Sequence, residues 1–250
     1  ATVTINRPEY SNAFARESYF EIADAMNTLG AREDVGAIVI TGAGKHFSAG
    51  GDIKRFKMLV DTGAYLKAED IEAVSAMPMS IRNCPKPVIA MINGVATGAG
   101  LSCALACDFR IVEPSSKMIM AFVNMGLCGD NESIYTLMRL VGPDKAELMM
   151  MTGDAYKGEQ CVKTGLATVL AEDGKLAETT YALAAKLASK SSTGHAGQKR
   201  LIRKYFYGGM ENFAKDEGIE MAAASRQPDF TEAVNAFIEK RMPAYNLPHK

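Results

Sequence analysis

Apolar and polar residues alternate along this chain with two different periods, and the order of those periods predicts its elements. "ATVTI" opens an alternating pattern that reads as a strand from residue 2 to about residue 6, where "NRPEYSNA" begins a turn. "RESYFEIADAMNTLGAR" carries apolar residues at helical spacing and runs out near Gly30. "VGAIVITG" is a short continuous apolar run, as in a strand buried on both faces. "AGKHFSAGGDIKRF" predicts a glycine-rich loop entering a short helix, and residues 62 to 84 predict helix interrupted near Pro78. "PKPVIAMING" is another buried strand, "GVATGAGLSCALAC" a glycine turn into a buried helix, and "DFRIVEP" a further strand.

Strands that alternate with helices in this way predict crossover connections and a largely parallel sheet, the α/β class. From about residue 190 the pattern changes. "GHAGQKRLIRKYFYG", "MENFAKDEGIEMAAAS" and "DFTEAVNAFIEKRM" are successive helical segments without a strand. The expected organisation is therefore a core domain over residues 1–190 and a helical C-terminal region over residues 191–250.

Composition narrows the function. The 250 residues are 48% hydrophobic and 23% charged with a net charge of −1, so no basic stripe supports nucleic-acid binding. Apolar runs are too short and too broken by glycine to span a bilayer. No signal-peptide pattern opens the chain, which starts directly in a strand pattern and is expected to lack a few preceding residues. Five cysteines without a CxxC read as reduced core residues of a cytoplasmic protein. His46, His195 and His249 show no ligand spacing, so no metal site is expected. Methionines clustered between residues 118 and 151 suit core filling or an adaptable apolar lining.

Two glycine loops, "HFSAGGDIK" and "GVATGAGLS", each follow a buried strand. A helix start offers unpaired N–H groups and favours negative charge. Neither loop fits GxGxxG or a Gly-Lys-Ser/Thr phosphate loop. Each alone could be a tight turn; two together suggest donors converging on one oxygen. At these residues the sequence resembles the enoyl-CoA hydratase/isomerase (crotonase) family. "INGVATGAGLSCALACDFRI", "RLVGPDKAELMMMTGDAYKGEQCVKTGLATVL", "NRPEYSNA" and "PDFTEAVNAFIEKRMP" are similar to its segments in the right order, so the resemblance covers essentially the whole chain.

The resemblance implies a crotonase (ClpP-like) spiral of β-β-α units and a C-terminal helical region that builds trimers, often paired into hexamers. It places oxyanion N–H donors on Gly51 and Ala99, flanked by Ala49, Asp52, Ile53 and Gly98 in the substrate site. Backbone contacts to the coenzyme A adenine would come from Ser11 and Ala13, with Lys54 near the pantetheine or phosphates. Lys240 and Tyr245 fall in the tail that reaches a neighbouring subunit's adenine. The substrate would be an acyl-CoA thioester, with no cofactor beyond the coenzyme A it carries.

The two glutamates of a hydratase map onto Ser102 and Phe122, which cannot act as such a base. Asp130 in "GLCGDNES" falls where dienoyl-CoA isomerases and 4-chlorobenzoyl-CoA dehalogenases carry a catalytic aspartate, although the dehalogenase histidine maps near Ser75. Asp130 is therefore a catalytic acid/base or, alternatively, an N-cap for the next helix. Glu132 is a second candidate or a partner of the helix dipole. Asp52 and Asp108 read as structural, His46 as an exposed loop edge, and Ser102 as a donor to substrate or water. Phe230, Val234 and Phe237 form an apolar face suited to subunit contact. The competing reading is a non-catalytic acyl-CoA binder that kept the fold and lost the carboxylates.

Overall fold

The computed structural model describes residues 1–245, so His249 lies outside the described residues. With strands numbered in chain order, the first sheet is parallel throughout. It runs β1 (Thr2–Ile5), β2 (Ile38–Gly42), β3 (Val88–Ile92), β5 (Phe109–Val112), β8 (Val169–Leu170). Every residue of β2 and β3 is buried. Elements on both faces explain why these strands read as unbroken apolar runs.

A second sheet holds β4 (Val95–Thr97), β6 (Lys117–Ile119) and β7 (Ala155–Lys157), with β4 parallel to β6 and β6 antiparallel to β7. Three-residue strands are too short to show a period, and β4 lies inside the segment expected to be only a glycine turn. The chain steps from first sheet to second sheet to helix twice, through β3, β4 and α5 (Ala99–Ala106), and through β5, β6 and α6 (Ser133–Val141). After β2 the same step shrinks to a single parallel bridge between Ser48 and Ala96 before α2 (Ile53–Thr62). This is one turn of a spiral after another.

The expected helix over residues 62 to 84 is instead two helices, α3 (Ala68–Val74) and α4 (Ala76–Asn83). α2 stops at Gly63, whose φ of 65° closes its C-terminus. The break lies at Ser75, and Pro78 sits in the first turn of α4, where a missing N–H removes no intrahelical bond.

α1 (Arg16–Ala31) packs on α4, and all eight residues of α5 are buried. A helix apolar all round can only be core. α7 (Pro143–Thr152) and α8 (Gly158–Thr164) follow α6; α9 (Leu176–Ala188) then covers the first sheet. α10 (Ser192–Tyr205) contacts α4, α11 (Met210–Ala224) contacts α3, and α12 (Pro228–Glu239) contacts α2. These last helices fold back over the elements that carry the glycine loops.

Asp108 is structural as expected: it accepts the Val88 N–H at 2.8 Å and pairs with Lys199 at 2.6 Å. The cysteines are free; Cys84, Cys103, Cys107 and Cys161 are buried. No helix among the described residues is long and apolar enough to cross a membrane.

Candidate active site

The two glycine loops meet. A Cβ on Gly50 would stand 2.7 Å from the Thr97 carbonyl and 3.3 Å from the Ala99 nitrogen; one on Gly100 would overlap Ser48 at 2.6 Å. Only glycine lets the first loop lie this close to the start of α5. Ala99 is the first residue of α5, so its N–H has no intrahelical acceptor. The Gly51 N–H likewise donates to no protein group among the described residues, while its neighbours are paired: Asp52 N–H to the Phe14 carbonyl and Gly50 N–H to Ser48 Oγ.

Gly51 and Ala99 both line a cavity of ≈ 350 Å³ that is mainly apolar. Ala49, Ile53, Gly98 and Phe122 line it with Gly51 and Ala99. Asp130 lines it too, and is 7% exposed. Phe56, Met125, Leu127, Met221, Phe237 and Arg241 complete much of the wall. Sequence reasoning did not assign Met221 or Arg241, because α11 and the segment after α12 bring residues from the far end of the chain and only the fold shows that they return.

The expected capping role of Asp130 is not the one the turn adopts. The N-cap of α6 is Glu132, and no side chain of its own turn caps the helix. Asn131 and Glu132 have φ of 53° and 52°, left-handed values that cost non-glycine residues about 1–3 kcal/mol each. They are held from outside. Glu217 Oε2 on α11 accepts the Glu132 N–H at 2.7 Å, and Ser102 Oγ donates to the Asp130 carbonyl at 3.2 Å. Ser102 therefore fixes the turn, also donates to the Gly98 carbonyl, and does not line the cavity.

Three carboxyls are buried here with little to neutralise them. Burial pushes Asp130 up to about 6, against the pull of the Arg55 guanidinium. Burial, with the charge of Asp130, pushes Glu132 up to about 8. Glu217 is driven well above the usual carboxylate range by burial first, then by Asp130 and Glu132. Burial thus disfavours the charged form of all three carboxyls, and least of all in Asp130. Glu132 is fully buried and lines neither space that Asp130 borders.

The remaining assigned residues lie apart from the cavity. Asp52 caps α2 by accepting the Lys54 N–H at 3.0 Å and pairs with Arg7 at 3.2 Å. Lys54 Nζ stacks 4.5 Å over the Tyr10 ring. The N–H groups of Ser11 and Ala13 donate within their own turn, which leaves only carbonyl oxygens for an adenine. Tyr245 Oη donates to the Asn124 carbonyl at 2.7 Å, and Lys240 terminates α12. His46 is half-buried with an unpartnered Nδ1, so it is not an exposed loop edge.

Fold and site together define an α/β spiral whose apolar cavity carries one ionisable carboxyl beside two free backbone donors. The enoyl-CoA hydratase/isomerase family model matches residues 1–247, and the chain belongs to that family of enzymes. Among its relatives, the trans-2-decenoyl-[acyl-carrier-protein] isomerase of Streptococcus mutans is 30% identical, over 98% of this chain and 94% of that protein. The 1,2-epoxyphenylacetyl-CoA isomerase of Escherichia coli is 30% identical over the same shares. A solved enoyl-CoA hydratase from Mycobacterium avium subsp. paratuberculosis superposes with a TM-score of 0.88 at 26% identity, covering 98% of this chain and 94% of that one.

Proposed function

We propose that this protein is an acyl-CoA isomerase that forms a thioester enolate in an oxyanion hole and moves a proton with Asp130. The carrying observation is the Asp130 carboxyl, buried and ionisable, in one apolar cavity with the Gly51 and Ala99 N–H groups. Asp130 removes a proton from C2 of the acyl chain, the electron pair moves onto the thioester oxygen, and the two N–H groups hydrogen-bond that oxygen. For a 3-enoyl thioester, return of the proton at C4 leaves the 2,3-double bond. One base near pKa 6 suits this exchange, because it both accepts and returns a proton near neutral pH.

Ser102 and Phe122 where a hydratase has glutamates support isomerisation over hydration. The two isomerase relatives, with decenoyl and epoxyphenylacetyl in their names, support an extended or cyclic apolar acyl group, as does the lining of Phe122, Met125 and Leu127. No cofactor is needed beyond the coenzyme A of the substrate. The test is a spectrophotometric comparison of two substrates: trans-3-decenoyl-CoA is expected to isomerise, and crotonyl-CoA to hydrate at least 100-fold more slowly. Rapid crotonyl-CoA hydration would sink this reading. A binder without turnover on the 3-enoyl thioester would favour the non-catalytic alternative, which the inward-facing Asp130 disfavours.

The homotrimer or hexamer implied by the family resemblance is likewise our proposal. Phe230 and Val234, expected on a contact face, are instead buried within their own chain, and only Phe237 is exposed. The end of α10 offers the better surface, with Leu201, Ile202 and Tyr205 exposed beside Phe206, the residue that caps it. Sedimentation is expected to give a trimer or a multiple of it; a stable monomer at micromolar concentration would overturn the assignment.

A further inference from the structure

Beside the acyl cavity lies a chamber of ≈ 20 Å³, room for one water molecule. Gly51, Phe56, Asp130 and Met221 line both spaces, so the two share the wall that carries the acid and an oxyanion donor. The chamber has dry walls at Leu66, Ile71 and Val74, and polar groups at Tyr19, Asp52 and Arg55.

Tyr19, in the first turn of α1, is 5% exposed, and its hydroxyl has no protein hydrogen-bond partner among the described residues. Its ring is fixed edge-on against Phe14, with centroids 5.2 Å apart. Buried tyrosine hydroxyls nearly always find a partner. Asp52 is paired with Arg7, so the half-buried Arg55 has no carboxyl along this chamber to answer its charge except Asp130. The Asp130 carboxyl lines this chamber with one oxygen, Oδ1, fully buried and unpartnered, which leaves Oδ2 as the oxygen that can meet a water. Hydroxyl, guanidinium and carboxyl together give the two to four polar contacts that an interior water needs.

We propose that this chamber is a one-water proton-exchange subsite, in which Tyr19 and Arg55 hold a water against the Asp130 carboxyl so that its proton is replaced from solvent during turnover. The inference rests on Asp130 acting as the acid/base above. While the enolate waits, the carboxylic acid and the water swap one proton for another, and both remain neutral. The outward route runs along Arg55 and Asp52, both half-buried. Tyr19 and Arg55 are positioning residues: they touch the water and never the acyl chain.

The test follows conversion of trans-3-decenoyl-CoA in D2O, with deuterium per product molecule read by mass spectrometry at first turnover. The wild-type protein is expected to place close to one solvent deuterium at C4. Tyr19→Phe keeps the ring against Phe14 and is expected to cut that incorporation at least threefold, since the original proton is returned instead. Arg55→Gln should act in the same direction and guards against a folding defect in the tyrosine variant. Unchanged incorporation in both variants overturns the subsite while leaving Asp130 in place. Turnover that survives in Asp130→Asn, or a wild type that neither converts the probe nor exchanges its C2 protons, overturns the functional reading itself.

Discussion

Asp130→Asn is expected to lower turnover of the 3-enoyl thioester by about 100- to 10,000-fold, the usual contribution of a general acid–base group. The same change should stabilise the fold above neutral pH. Asp130 titrates at about 6 in the folded protein, above the ordinary aspartate value of 3.8, so folding favours its neutral form. That favourable contribution is complete below about pH 4 and disappears as the pH rises through 6. A shift of this size corresponds to as much as about 3 kcal/mol. Urea unfolding at pH 8 should thus find the asparagine variant more stable than wild type by about 1–3 kcal/mol, with the advantage gone at pH 4. The wild-type rate should rise with pH through about 6, as the base ionises. Loss of activity without the gain in stability would mean that Asp130 is not the buried, ionised group described here.

Ala99→Pro is expected to reduce the rate by about 100- to 1,000-fold, near 3 kcal/mol, the cost of removing one oxyanion donor. The substitution is unusually clean at this position. Ala99 opens α5, where proline fits the helical φ and the deleted N–H has no intrahelical partner to lose. Gly98 before it, at φ 52° and ψ −130°, is the residue type that best tolerates a following proline there. Affinity for the acyl-CoA, measured by calorimetry, should fall far less than the rate, because the donor matters most when charge develops on the oxygen. Equal losses in affinity and rate would indicate a distorted pocket rather than a missing donor.

Much of this was legible in the sequence because the informative residues are local. β2 and β3 announce themselves as apolar runs, and the glycines at 50, 98 and 100 mark the close approach of two loops before any coordinates are known. Ala49, Ile53, Gly98 and Phe122 fall in the cavity because each sits within a few residues of a motif. What remained hidden is long-range. Glu217 and Met221 look like ordinary helical residues, and nothing near them in sequence signals that α11 returns to the turn at 130–132. The role of Ser102 was misread for a related reason: its hydroxyl finds a carbonyl 28 positions away. The one-water chamber is invisible for the same cause, since Tyr19, Arg55 and Asp130 come from three separate elements.

The hydrogen bond between Glu132 and Glu217 spans 85 positions, which gives the site an order of assembly. During synthesis the strands, both glycine loops and Asp130 leave the ribosome well before residue 217 exists. Until α11 docks, two left-handed residues have nothing to hold them from that side, and the acid is free to face elsewhere. The N–H donors, which depend on earlier segments alone, have no such wait. The turn that carries Asp130 thus takes its final form, and the cavity its last walls, only when the chain is nearly whole.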